Sequence, residues 1–127
     1  MKHFAVRVLQ FVQTLPQHTA ASAVARQLAR SGTSISANYQ AACRGRSRAE
    51  FIAKLGVVLE EASETEQWLE VLQESGIATG DELATLLDEA RQLRAIIHQS
   101  VLTARRNHPR KGRTLPSQST PAKSSNP

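Results

Sequence analysis

The sequence predicts an all-α protein: an antiparallel up-down four-helix bundle over residues 1–108, followed by a disordered basic tail over 109–127. Three observations carry that prediction. Apolar residues recur at spacings of three and four in four successive stretches, and period-2 alternation is absent. Aromatic residues make up only 4% of the chain, so Leu, Ala and Val must fill a core drawn from 40% hydrophobic residues, which suits helices better than sheets. Helix-start and helix-stop residues fall between the four stretches.

The first helix spans 3–15, with Phe4, Val8, Phe11 and Leu15 on one stripe; Pro16 ends it, because the residue before a proline is pushed out of the helical region. A second helix starts near Thr19 and carries Ala21, Ala25, Leu28, Gly32, Ile35, Tyr39 and Ala42 on a small-residue stripe. Ser31-Gly32-Thr33-Ser34 is its weak point, since glycine costs about 1 kcal/mol in a helix interior and hydroxyls compete for backbone groups. One continuous helix, bent at most, is expected, with Gly45 as its C-terminal cap. Ser47 and Glu50 form a capping box for a third helix, in which Phe51, Leu55, Val58, Ala62, Thr65, Leu69 and Leu72 keep an unbroken heptad register to Gly76. At 1.5 Å per residue it is about 40 Å long, the spine of the bundle. Thr79 to Glu82 reads as a second capping box, followed by Leu83, Leu86, Leu87, Ala90, Leu93, Ile97, Val101 and Ala104. Beyond Pro109 only Leu115 is apolar and large, so that segment has nothing to bury.

Charge is segregated along the chain. Residues 1–49 contain seven Lys or Arg and no acid, residues 50–104 contain eleven acids against Lys54, Arg91 and Arg94, and residues 105–127 contain six Lys or Arg. The three segments carry +7, −8 and +6, which together give the net +5. A basic half and a basic tail favour phosphate-bearing partners, while opposite signs on one chain favour subunit association. Lone Cys43 excludes an intramolecular disulfide and fits a reducing compartment. No signal peptide and no membrane span are expected, since the apolar run Val8–Val12 is short and broken by Gln10.

Three ordered elements carry a family resemblance. They are Arg30-Ser31-Gly32-Thr33-Ser34-Ile35-Ser36-Ala37-Asn38, then Ser47-Arg48-Ala49-Glu50-Phe51-Ile52-Ala53-Lys54-Leu55, then Glu64-Thr65-Glu66-Gln67-Trp68-Leu69. Together they resemble the four-helix-bundle proteins of the 23S-rRNA intervening-sequence family, across roughly residues 3–105. Members are often encoded inside insertions in bacterial large-subunit rRNA genes. The resemblance implies a bacterial cytoplasmic protein that assembles into a homopentamer. A related branch, the accessory variability determinant of diversity-generating retroelements, consists of basic pentamers that bind nucleic acid and a reverse transcriptase. This chain departs from the pattern at Gln40-Ala41-Ala42-Cys43, where many members carry an acid–glycine pair.

Ser31, Ser34 and Asn38 share a helix face opposite Glu60 and Glu61; a buried hydrogen-bond network that fixes helix register is favoured over a pocket. A serine and a carboxylate with no His or Lys base make no nucleophilic site, so no catalytic residue is assigned. His3, His18, His98 and His108 lack partners at i+3 or i+4, so no metal or other cofactor is expected. Arg26, Arg30, Arg44, Arg46 and Arg48 are the candidate nucleic-acid-binding residues. With Phe4, Phe11 and Phe51 in core stripes, any contact with RNA or DNA is expected to be through the backbone and salt-sensitive. The functional expectation is a non-enzymatic oligomeric helical scaffold that binds RNA or DNA phosphates. The alternative is a protein-interaction module that binds no nucleic acid.

Overall fold

The computed structural model describes residues 1–107; His108 and the tail over 109–127 lie outside the described residues. Four helices follow one another: α1 (Lys2–Val12), α2 (Thr19–Cys43), α3 (Arg48–Ser75) and α4 (Asp81–Asn107). Short connections make successive helices antiparallel. α2 lies between α1 and α3, α3 packs on α4, and α1 closes the bundle against α4. The core is one cluster along the axis, in which Leu28, Ile35, Leu55, Leu69, Leu72, Leu83, Leu86 and Ile97 are fully buried.

The expected stripes face this core, with two instructive differences. α1 stops at Val12 rather than Leu15. The Thr14 hydroxyl donates to Phe11 O at 2.7 Å and Leu15 N–H donates to Val12 O at 3.2 Å, so a tightened last turn still buries Leu15. Tyr39 belongs to the α2 stripe by spacing but is 36% exposed. Val8 lies against Gly32, so Met1, seven residues back, comes level with about residue 39. α1 begins there, so nothing of it extends over Tyr39.

α2 runs unbroken through Gly32. A Cβ at that position would sit 2.9 Å from Val8 Cγ1, so the missing side chain is what lets α1 approach. His18 starts α2, with its Nδ1 accepting from Ala21 N–H at 3.2 Å. The helix ends at Cys43 with Arg44 as its C-cap, and Gly45 lacks the left-handed conformation expected of a capping glycine. Its smallness matters instead: a Cβ would meet Ala42 O at 3.1 Å and Phe51 N at 3.3 Å.

α3 opens with Glu50 N–H donating to Ser47 Oγ at 3.1 Å, as the capping box requires. The Glu50 carboxylate reaches one residue further back than expected and accepts from Arg46 N–H at 2.8 Å. Gly76, at φ 76°, closes α3, and Ala78 N–H donates to Leu72 O at 3.2 Å. The second expected box does not form as read. Gly80, at φ 102°, directly precedes α4 and its carbonyl accepts from Ala84 N–H at 3.1 Å, which leaves Thr79 one residue too early to cap.

Candidate nucleic-acid interface

The antiparallel packing turns charge segregated along the chain into charge segregated along the bundle axis. One pole gathers the end of α2, the start of α3, the end of α4 and, about one turn short, the start of α1. A groove lined by Arg48 and Phe51 of α3 and by Gln99, Ser100, Thr103 and Ala104 of α4 fixes that pairing. Seven cationic side chains lie at this pole: Lys2, Arg44, Arg46, Arg48, Lys54, Arg105 and Arg106. Its one acid is Glu50, whose carboxylate is held by the Arg46 backbone N–H. None of the seven makes an ion pair among the described residues. Arg44, Arg46 and Lys54 rim a shallow depression of about 230 Å³ around Gly45. Two helix starts and two helix ends meet at this pole, so the backbone dipoles largely cancel and the side chains set its potential.

The opposite pole has the other sign. Glu70, Glu74, Asp81, Glu82, Asp88 and Glu89 flank the α3–α4 turn, with Arg7, Arg26 and Arg91 as nearby cations, Arg7 paired with Glu89. Arg91 is already engaged, 2.9 Å from Glu70 and 3.2 Å from Glu66.

This geometry divides the five arginines singled out from sequence. Arg44, Arg46 and Arg48 are exposed together at the α2–α3 hinge. Arg26 and Arg30 precede Arg44 by 18 and 14 residues in one helix, about 27 Å and 21 Å along its axis. They do not extend the hinge patch. Arg30 is engaged with Glu61 at 3.2 Å and with Glu64. Lys54, Arg105 and Arg106 replace them. The sequence signal for the last two was the antiparallel order itself, which puts the end of the fourth helix beside the start of the third.

The polar residues also sort differently from the reading by helix face. Ser31 is fully buried, and its partner is Thr65, also fully buried, with the hydroxyl oxygens 2.9 Å apart. Thr65 Oγ1 lies 2.8 Å from Glu61 O, whereas Ser31 Oγ is 3.4 Å from Leu28 O. Each hydroxyl has one proton. The better geometry therefore has Thr65 donating to Glu61 O and Ser31 donating to Thr65. Asn38 Nδ2 donates to Ser34 O at 2.9 Å within α2, and no hydrogen bond joins Ser34, Asn38 or Glu60 to Ser31 among the described residues. Glu61 contributes its carbonyl to the network and its carboxylate to Arg30. By spacing alone Thr65 is one more residue of the α3 core stripe.

Beside this pair, Glu64 accepts from Arg30 and from Trp68 Nε1 at 3.1 Å. The Arg-Ser and Glu-Thr pairs of the first and third motifs thus meet across the α2–α3 seam, Arg30 with Glu64 and Ser31 with Thr65. These motif residues join α2 to α3.

Two measurable consequences follow. Thr65→Val leaves Ser31 with only the long bond to Leu28 O, an under-satisfied buried hydroxyl, and should cost about 1–3 kcal/mol by urea unfolding. Adding Ser31→Ala should return most of that loss, because both partners are then apolar. If the double variant were as unstable as the sum of the singles, the hydroxyl pair would not be the coupling. The second consequence is acid sensitivity. Hydrogen bonds from Arg30 and then Trp68 hold Glu64 below the ordinary carboxylate value of 4.5. At Glu66 burial pushes upward, but hydrogen bonds from Arg94 and Arg91 outweigh it and the value is lowered. A carboxyl depressed in the folded state stabilises above its unfolded value and loses that contribution as pH falls through the folded one. The urea midpoint should therefore be flat from pH 7 to about pH 5 and fall below about 4.5, less steeply in Glu64→Gln.

No helix among the described residues is long and apolar enough to cross a membrane. The described residues hold no group of three or more His, Cys, Asp or Glu placed to hold a metal ion. A comparison with curated proteins finds no match. A crystal structure of a protein of unknown function from the S23 ribosomal protein family of Bacteroides thetaiotaomicron is similar, with a TM-score of 0.70 and 31% identity over 78% of this chain and 92% of that one. The family model described as 23S rRNA-intervening sequence protein matches residues 1–99. With four helices in the expected order, a solved relative at that identity and a match that covers α1 to α3 and most of α4, this chain belongs to the 23S rRNA-intervening sequence protein family.

Proposed function

We propose that the protein is a non-enzymatic helical scaffold that binds RNA or DNA phosphates through its basic pole and works as a homo-oligomer in the bacterial cytoplasm. The observation that carries this reading is the set of seven cations at one pole, without ion pairs among the described residues, opposed by one carboxylate already bound to backbone. Structural arginines elsewhere in the bundle, Arg7, Arg30, Arg91 and Arg94, all face a glutamate. Cations left without carboxylates repel one another and gain most from a polyanion that releases its counterions on binding. The basic residues after Arg106 continue the same sign. Exposed Val6 and Leu9 on α1, with Ile96 and Leu102 on α4, supply apolar surface for self-association.

The test is an anisotropy titration of the full chain with RNA and with DNA at several salt concentrations. Binding whose log K falls steeply with log salt supports the reading; no binding at low salt, or a slope near zero, overturns it. In that event the acidic pole and the exposed apolar residues favour the second reading, a protein-interaction module without nucleic acid. Native mass spectrometry tests assembly separately, where a stable monomer would remove the oligomer from the proposal. A pentamer is the state implied by the family resemblance.

A further inference from the structure

The groove between the first turns of α3 and the last turns of α4 differs in chemistry from the rest of the basic pole. It is a depression of about 310 Å³, at the lower end of the ~300–1,000 Å³ that small-ligand sites occupy. Phe51 forms its apolar wall. The heptad register assigns this ring to the core, yet it is only half-buried and reaches the groove. The α4 wall is polar, with Gln99, Ser100 and Thr103, and its floor is the small, buried Ala104. These polar groups have capacity left for a ligand. Gln99 Nε2 makes only a long 3.4 Å contact with Thr103 Oγ1, and Ser100 donates to Ile96 O at 3.0 Å, leaving its oxygen free to accept. Arg48 stands at the rim, and Arg105 follows Ala104 directly.

An aromatic wall, an amide and hydroxyls that both donate and accept, and guanidinium groups at the margin are the parts needed for one nucleotide unit. We propose that this groove takes one unpaired base of a single-stranded nucleic acid. The base lies against Phe51, its edge meets Gln99 and Thr103, and Arg48 and Arg105 neutralise the flanking phosphates. The inference rests on the phosphate-binding reading of the pole and adds to it: the pole then distinguishes single strands from a bare polyanion.

The probes are a labelled 12-nucleotide single strand and an abasic strand of the same length and charge, titrated with the full chain at one salt concentration. The natural strand should bind about five- to tenfold more tightly, within the range stacking and edge contacts supply at one site. Gln99→Ala combined with Thr103→Ala, both exposed positions, should bring the two strands to near-equal affinity without weakening the abasic one; Phe51→Leu, which keeps an apolar side chain, should do the same. A 2-aminopurine placed in the strand should lose emission on binding the unaltered protein. Equal affinity for both strands, or a preference that survives these variants, overturns the inference and leaves phosphate binding standing. Absence of binding to either strand removes both.

Discussion

Gly32→Val should lower the melting temperature by about 10–20 °C. A Cβ at position 32 already falls 2.9 Å from Val8 Cγ1, 3.2 Å from Cγ2 and 3.3 Å from Cβ, and valine adds two methyl groups beyond it. Val8 is fully buried and β-branched, so it has essentially one rotamer in a helix and cannot swing aside. The alternative is for α1 to lift, which would expose Phe4, Val8 and Phe11, each contributing about 1.5–3 kcal/mol by burial. Strain should therefore be held in place at about 2–3 kcal/mol, with 4–8 °C of melting temperature per kcal/mol in a domain of this size. Gly32→Ala should also destabilise, by less: its Cβ alone falls 2.9 Å from a Val8 methyl that cannot turn away, and up to about 1 kcal/mol of helix propensity offsets only part of that cost. Val8→Ala removes the opposing methyls, so the Gly32→Val, Val8→Ala pair should be more stable than the two single effects predict by at least about 1 kcal/mol. Additivity within about 0.5 kcal/mol would mean that something other than this contact excludes a side chain at Gly32.

Gly32 also shows where sequence reasoning reaches its limit. Composition identifies it as a weak point of α2, and in an isolated helix it would be one. Its role depends on Val8, 24 residues away, and local propensity has no access to that distance. The four helices themselves were legible because each has a continuous apolar stripe, and Ser47 and Gly76 mark the ends of α3 with chemistry that is entirely local. Thr79 was misread because a capping box counts residues and does not see the left-handed backbone that only Gly80 could supply. The candidate site follows the same division. Arg44, Arg46 and Arg48 are adjacent in sequence and remain adjacent in space. Arg26 and Arg30 were grouped with them by summed charge, which ignores distance along a helix. Glu60 was grouped with Ser31 by helix level, whereas the Ser31 partner is the stripe residue Thr65, whose γ-oxygen makes a hydrogen bond available inside the core.

Reversing the hinge charge, with Arg44, Arg46 and Arg48 all changed to Glu, should cut nucleic-acid affinity by about 100-fold or more. An exposed ion pair contributes up to about 1 kcal/mol, so three lost phosphate contacts amount to about 3 kcal/mol, or two decades at 1.4 kcal/mol each, before the added repulsion is counted. The log–log salt slope should fall by about 2–3, since each neutralised phosphate contributes about 0.7 for single strands and 0.9 for duplex DNA. The fold should tolerate the change. The three side chains are exposed and make no ion pair among the described residues. Arg44 follows the end of α2, where a carboxylate is disfavoured by roughly 0.3–1 kcal/mol, but Arg48 opens α3, where a carboxylate is favoured by as much, so the dipole effects offset. Arg26→Glu is the comparison at the other end of α2: exposed like the hinge arginines but toward the acidic pole, it should change affinity less than twofold, well below the share of one hinge reversal. A large loss in both variants would show that net charge alone drives binding. A loss confined to the hinge would place the phosphate at one end of the bundle and leave the opposite end, with its acids and its turn at Gly76–Gly80, outside the contact.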